Sequence, residues 1–161
     1  MIVLLKVFLW QGKHWTQREL AESLGMNLAE VNHSLKRLEA LRLYNPIRKH
    51  ILKQTALEFI LYGLRLAFPA ELGPVKLGFP TAHAALSNEI LFNDNDLYVW
   101  PDSKGPKRGQ SIKPLHKAAP VASANDPKLY RLLSLIDVLR VGQAREKNFA
   151  KQQLSEMFAT A

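Results

Sequence analysis

Thr16-Gln-Arg-Glu19-Leu20-Ala21-Glu-Ser-Leu24-Gly25-Met-Asn27-Leu-Ala29-Glu30-Val31-Asn32-His33-Ser-Leu35-Lys36-Arg37-Leu38-Glu39 reads as two capped amphipathic helices joined by a glycine turn. Thr16 with Glu19 forms a capping box, and Asn27 with Glu30 forms a variant with an amide cap, so each pair satisfies amide donors that a helix start leaves without partners. Two helix starts therefore stand eleven residues apart. Leu20, Ala21 and Leu24 make the inner face of the first helix and Val31, Leu35 and Leu38 that of the second, at the three-and-four spacing with which one helix packs on another. Gly25 supplies the positive φ of a sharp helix exit.

Placing Val31 inward turns Ala29, His33, Lys36 and Ala40 outward, with Asn32 and Arg37 on the flanks. That outer face is small, polar and cationic. Small residues let a helix approach the major groove, Asn and His bond base edges, and Lys and Arg reach guanine edges or phosphates. The alternative is a solvated face on an ordinary helical hairpin. Agreement among caps, turn and outer-face chemistry favours DNA recognition.

The segment Asn27 to Glu39 resembles the recognition helix of bacterial winged helix-turn-helix regulators, especially the MarR-like ones, and the resemblance covers residues 1–57. It implies that this helix enters the major groove, with Ala29, Asn32, His33 and Lys36 at base-reading positions and Arg37 near phosphate. Thr16 and Asn27, at the two helix starts, complete the expected DNA-facing set. There are two departures from the pattern. His33 stands where Arg or Lys is common, which replaces a strong cationic contact by a weaker, pH-sensitive one. Arg42 stands where such proteins often carry the Gly that ends the helix.

Downstream, Asn45-Pro46 is a turn pair, and Ile47-Arg48-Lys49-His50-Ile51-Leu52-Lys53 follows. This reads as a short two-stranded wing with Arg48, Lys49 and His50 at its tip, where the resemblance implies a minor-groove or phosphate contact. The competing reading, that Ile47, Ile51 and Leu52 continue a helix toward Ala56 and Phe59, is disfavoured because the residue before proline avoids helical geometry.

Charge agrees with a polyanionic partner. Lys and Arg total 22 against 14 acidic residues, a net +8 with a pI near 9.8. Residues 1–57 hold nine basic and four acidic residues, so +5 of that charge falls in one third of the chain. The chain has no cysteine, which excludes disulfides and thiolate chemistry and suits a reducing, cytoplasmic setting. The apolar opening Ile2 to Trp10 is too short to span a bilayer and reads as a core helix with Ile2, Leu5, Phe8 and Leu9 inward. No membrane partner is expected.

Ala56 to Phe68 is a helix apolar nearly all round, stopped by Pro69, and is expected to be buried between the two halves of the chain. From Pro69 to Pro120 no helical period survives. Ile90-Leu91-Phe92 and Leu97-Tyr98-Val99-Trp100 read as a hairpin around Asn93 to Asp96. Lys104, Lys107, Arg108, Lys113, His116 and Lys117 then crowd a fourteen-residue segment without an acid. It reads either as a solvated loop or as a set of backbone contacts to nucleic acid, the latter through Lys104, Lys107 and Arg108. Asp126-Pro127 caps a helix carrying Leu129, Leu132, Leu133, Ile136 and Leu139, Gly142 breaks it, and a last helix runs from about Gln143.

Enzymatic readings are weak. Asp102-Ser-Lys104 has the spacing of half a metal-dependent nuclease site, but Asp94 and Asp96 are unsuited as the partner acid. His83 with Asn88 and Glu89 could bind a metal or ligand, although a lone His is usually structural. No catalytic residue, cofactor or metal is assigned. The expectation is thus a mostly α (α+β) protein, with a winged helix-turn-helix domain at 1–57. Residues 58–161 then supply a connecting helix, a Pro/Gly-rich hairpin region and C-terminal helices for dimerisation or partner binding. Its expected function is that of a sequence-specific double-stranded DNA-binding transcriptional regulator, a dimeric repressor whose C-terminal helices, with Ile2 to Leu9, form the interface. The alternatives are an antitoxin or phage-defence module that binds a partner protein through residues 69–161 and autoregulates through DNA, and an RNA-binding protein.

Overall fold

The computed structural model describes residues 1–89 and 97–160. The molecule is mostly helical with a small sheet. Helix α1 (Ile2–Leu9) is apolar because it lies inside: every residue from Ile2 to Phe8 is buried, Lys6 included, against α2, α3 and the later helix α7. The expected one-sided inner face of α1 is corrected accordingly, with Leu9 only half-buried. A buried lysine needs a counter-charge, and Lys6 Nζ lies 2.6 Å from Asp126 Oδ2.

Helices α2 (Gln17–Leu24) and α3 (Leu28–Ala40) follow the expected limits, with Leu20, Ala21, Leu24, Val31, Leu35 and Leu38 buried. Both exits use left-handed backbone. Gly25 has φ 61°, with the Met26 N–H donating to Ala21 O at 3.0 Å. Arg42 has φ 55° in the same role, with Leu43 N–H donating to Leu38 O at 2.8 Å. The exit that glycine usually provides is therefore made here by an arginine, at a backbone cost of about 1–2 kcal/mol. Strands β1 (Tyr44–Asn45) and β2 (His50–Ile51) pair antiparallel, Tyr44 opposite Ile51, around a turn in which Asn45 Oδ1 accepts from Ile47 and Arg48 N–H.

The next helix runs from α4 (Lys53–Glu58) through a π-helical turn, Phe59–Gly63, into α5 (Leu64–Ala67). Its burial corrects the expectation. Only Ala56, Ile60 and Leu64 are fully buried, one stripe at four-residue spacing, while Tyr62, Leu66 and Phe68 stay exposed. Leu57, Phe59 and Leu61 are half-buried against the core, and Lys151 Nζ lies 5.3 Å from the Tyr62 ring centroid.

Three strands follow: β3 (Leu72–Thr81), β4 (Tyr98–Pro101) and β5 (Lys107–Ile112). Strand β3 pairs antiparallel with β5 through its first half and with β4 through its second, and β4 and β5 close the group in parallel. Gly78 sits where β3 changes partner, opposite both Pro101 and Lys107, and a Cβ there would collide with the Trp100 carbonyl. The expected partner strand Ile90 to Phe92 lies outside the described residues, while Tyr98 to Trp100 pairs with β3. The loop reading of the basic segment is corrected as well: Lys107 and Arg108 open strand β5.

Helix α6 (Ala119–Ala124) leads into α7 (Pro127–Val141), which is capped by Asp126 accepting from Leu129 N–H at 3.0 Å. Every residue of α7 from Leu132 to Leu139 is buried. Helix α8 (Ala144–Thr160) turns Ala150, Leu154 and Phe158 inward, and the Phe158 ring stacks on Phe8 at 3.9 Å between centroids. One hydrophobic core thus runs from Ile2 to Phe158, so no gap in packing falls at residue 57. Helix α1 and the Leu132–Leu139 stretch of α7, both expected to mediate dimerisation, are interior, whereas α8 keeps an exposed outer face.

Asp126 yields a pH prediction. Partial burial pushes its carboxyl up, but Lys6 and the Leu129 and Lys128 N–H groups outweigh this and hold it below the usual carboxylate range. A depressed folded value means stability present above the unfolded value, near 4, and lost as pH falls through the folded one. Asn also caps helices well. Asp126→Asn should therefore have the lower Tm at pH 6 and a flatter decline between pH 5 and 2, as followed by circular dichroism. Parallel Tm curves would contradict the role of the Lys6 pair.

Candidate nucleic-acid interface

The caps orient the two helices. Thr16 Oγ1 accepts from Glu19 N–H at 3.2 Å while Glu19 Oε2 accepts from Thr16 N–H at 2.7 Å. These bonds from Thr16 hold the Glu19 carboxyl below its usual range. Asn27 Oδ1 accepts from Glu30 N–H at 2.8 Å, and its amide donates to Glu30 Oε2 at 3.2 Å. Thr16 and Asn27 were both expected to face DNA. Both are exposed, and their side chains also make the two caps.

On α3, Ala29, His33, Lys36, Arg37 and Ala40 are exposed and Asn32 is half-buried on the flank. Among the described residues the side chains of Asn32, His33, Lys36 and Arg37 make no hydrogen bond or ion pair to protein. The helix thus presents the outer face its period predicts.

The hairpin divides its cations. Arg48 is exposed near the turn. Lys49, at φ 51°, folds back so that its Nζ donates to Trp15 O at 3.3 Å and lies 5.6 Å from the Trp15 ring centroid. It is therefore not an outward tip contact as expected. His50 lies in β2, half-buried, and Ile47 holds the tip instead. Arg48, His50 and Lys53 line a shallow concavity with Gln11 and Gly12.

The second half of the chain reaches α3 from one flank. His116 Nε2 lies 3.5 Å and Lys117 Nζ 3.8 Å from Glu30 Oε1. Burial holds the His116 imidazolium below its usual range against the pull of Glu30. Lys117 is mostly exposed and adds a cation beside α3. The contact joins positions 30 and 117, and the local sequence carries no signal for it. Of the remaining basic segment, Lys113 pairs with Glu71 at 3.1 Å, whereas Lys104, Lys107 and Arg108 are exposed.

The other candidates do not assemble. Glu89 pairs with Arg131, and buried His83 lies 3.9 Å from Glu146 Oε2 and edge-on to Tyr98, so His83 and Glu89 form no joint site. Among the described residues no group of three His, Asp or Glu side chains is placed to hold a metal ion, and no helix is long and apolar enough to cross a membrane. No protein-family model, curated protein or solved structure matches the chain.

Proposed function

We propose that this protein is a sequence-specific double-stranded DNA-binding transcriptional regulator of the winged helix-turn-helix kind, acting as a dimeric repressor in the cytoplasm. The observation that carries this reading is the face of α3, where Ala29, Asn32, His33, Lys36 and Arg37 stand together, their side chains without hydrogen-bond or ion-pair partners among the described residues, on the helix whose Glu30 meets Lys117. Small side chains at Ala29 and Ala40 leave room for close approach to base edges, Arg37 on the same helix and Lys117 beside Glu30 add phosphate-binding charge, and Arg48 adds it on the hairpin. The net +8 supports a polyanionic partner.

Lys104, Lys107 and Arg108 serve the same reading as backbone contacts. Replacing all three by Gln should weaken specific and non-specific duplexes by similar factors and leave their ratio unchanged, as measured by fluorescence anisotropy. A triple variant that binds DNA normally but loses a co-purifying protein would assign this strand to partner binding.

Dimerisation belongs to the proposal because one module alone buries little surface for specificity. With α1 and α7 interior, Tyr62, Leu66, Phe68 and Leu72 form the exposed apolar run to which it is assigned. Leu66→Asp should convert a dimer to a folded monomer in light scattering at tens of micromolar. A wild-type chain that is already monomeric there, and stays so on DNA, would contradict dimerisation.

A further inference from the structure

Ile47 is the most exposed large apolar side chain among the described residues, at 92%. It stands at the tip of the β1–β2 hairpin, on a turn that is fixed from three sides. Asn45 Oδ1 accepts from the Ile47 and Arg48 N–H groups, each at 3.0 Å, and Pro46 locks the backbone angle just before Ile47. Lys49 takes the left-handed backbone at φ 51°, which a lysine adopts only at a cost, and is tied to the Trp15 carbonyl at 3.3 Å. A lone exposed apolar residue is ordinary on a protein surface. Here, however, a turn position that favours Gly, Asn, Asp or Ser carries a stiff, branched side chain, on a mount that folds its lysine back and leaves the isoleucine outward.

We propose that Ile47 is a wedge that enters the minor groove of DNA and partly unstacks one base step, bending the duplex. The inference rests on the DNA-binding reading of α3. Apolar side chains, isoleucine among them, insert between base steps from the minor groove and kink DNA toward the major groove. A fixed tip suits that task, because a mobile one would lose part of the gain to its own ordering. The surrounding charge selects a polyanion. Arg48 is exposed beside Ile47, and Lys13 and His14 are exposed next to the Trp15 that holds the turn. Such cations are drawn to the negative potential of a narrow minor groove. Other surfaces fit less well. One isoleucine side chain buries far less than a single fatty acyl chain, whose hold on a membrane is itself marginal. Anchors of protein interfaces are ringed by packed contacts that exclude water, whereas Ile47 is flanked by Pro46 and Arg48, both exposed.

A wedge reads deformability rather than base edges, so a duplex of repeated TA steps, which unstack easily, is a suitable probe. It carries 2-aminopurine in place of central adenines and a donor–acceptor dye pair at its ends, and is titrated with the full chain at low salt. Binding, followed by anisotropy, should raise the 2-aminopurine fluorescence and shorten the end-to-end distance. Ile47→Ala should bind within about tenfold of wild type, since phosphate contacts carry most of the affinity, but should leave both signals at their free-duplex values. Ile47→Leu should keep both. Wild-type binding without either signal, or equal signals from Ile47→Ala, would overturn the wedge and leave the DNA-binding reading standing. Absence of binding to any duplex at low salt would overturn that reading and the wedge together.

Discussion

Asp137→Ala is expected to lower the free energy of unfolding by about 3–5 kcal/mol, the usual cost of breaking a buried ion pair by removing one partner. Asp137 is enclosed in α7. Its Oδ2 accepts from Thr81 Oγ1 at 2.7 Å and from Trp100 Nε1 at 2.8 Å, and its Oδ1 accepts from Arg140 Nη1 at 2.6 Å. Burial pushes the carboxyl up, and Arg140, Thr81 and Trp100 pull it back. The Arg140 guanidinium also donates to the carbonyls of Phe68, Pro69 and Lys113, so one pair ties α7 to the end of α5 and both ends of the sheet region. Alanine would leave a guanidinium buried without its counter-charge and two donors without an acceptor. The double variant Asp137→Ala with Arg140→Met removes both charges and should lose less than the single one, as read from urea denaturation midpoints. A single variant within about 1 kcal/mol of wild type would show that the network is replaceable, outside the range expected for such pairs.

On the recognition helix, the expected result is a separation of affinity from specificity. Arg37→Ala, which leaves the base-reading Lys36 in place, should weaken binding to every duplex and make the salt slope shallower by about one unit, for the phosphate that is no longer neutralised. Asn32→Ala should instead relax a single base position, by roughly 1–3 kcal/mol. Both side chains lie outside the buried stripe of Val31, Leu35 and Leu38, so the fold should survive. Unchanged affinity and unchanged salt slope in folded variants would remove α3 from the interface.

Features legible in the sequence were local ones. Capping at Thr16 and Asn27, the Gly25 exit, the buried stripes of α2 and α3, and the Asp126 cap are decided within four or five residues by hydrogen bonding and helical period. The Asn45-Pro46 turn likewise placed the hairpin. What remained hidden depends on distant partners. Nothing near Lys49 signals Trp15, and nothing near Glu30 signals Lys117. Apolarity misled in both directions: α1 has only one residue more polar than its neighbours, Lys6, whose partner is 120 residues away, so its full burial was not legible. The segment Ala56 to Phe68, apolar on all sides, keeps much of that surface exposed. The middle of the chain was misread because β3 contains Gly73, Pro74, Gly78 and Pro80, residues that usually interrupt strands; here Gly73 and Pro74 fall in the register shift with β5, Gly78 at the change of partner, and Pro80 within the pairing with β4.

The most direct measurement is selection of bound duplexes from a random pool by the purified full chain, with Asn32→Ala carried in parallel. The proposed function predicts one recurrent motif, an imperfect palindrome with half-sites about 10–10.5 base pairs apart between centres, and loss of preference at one position per half-site in Asn32→Ala. A pool that retains no motif after selection, with duplexes of every sequence bound equally, would contradict sequence-specific recognition by this protein.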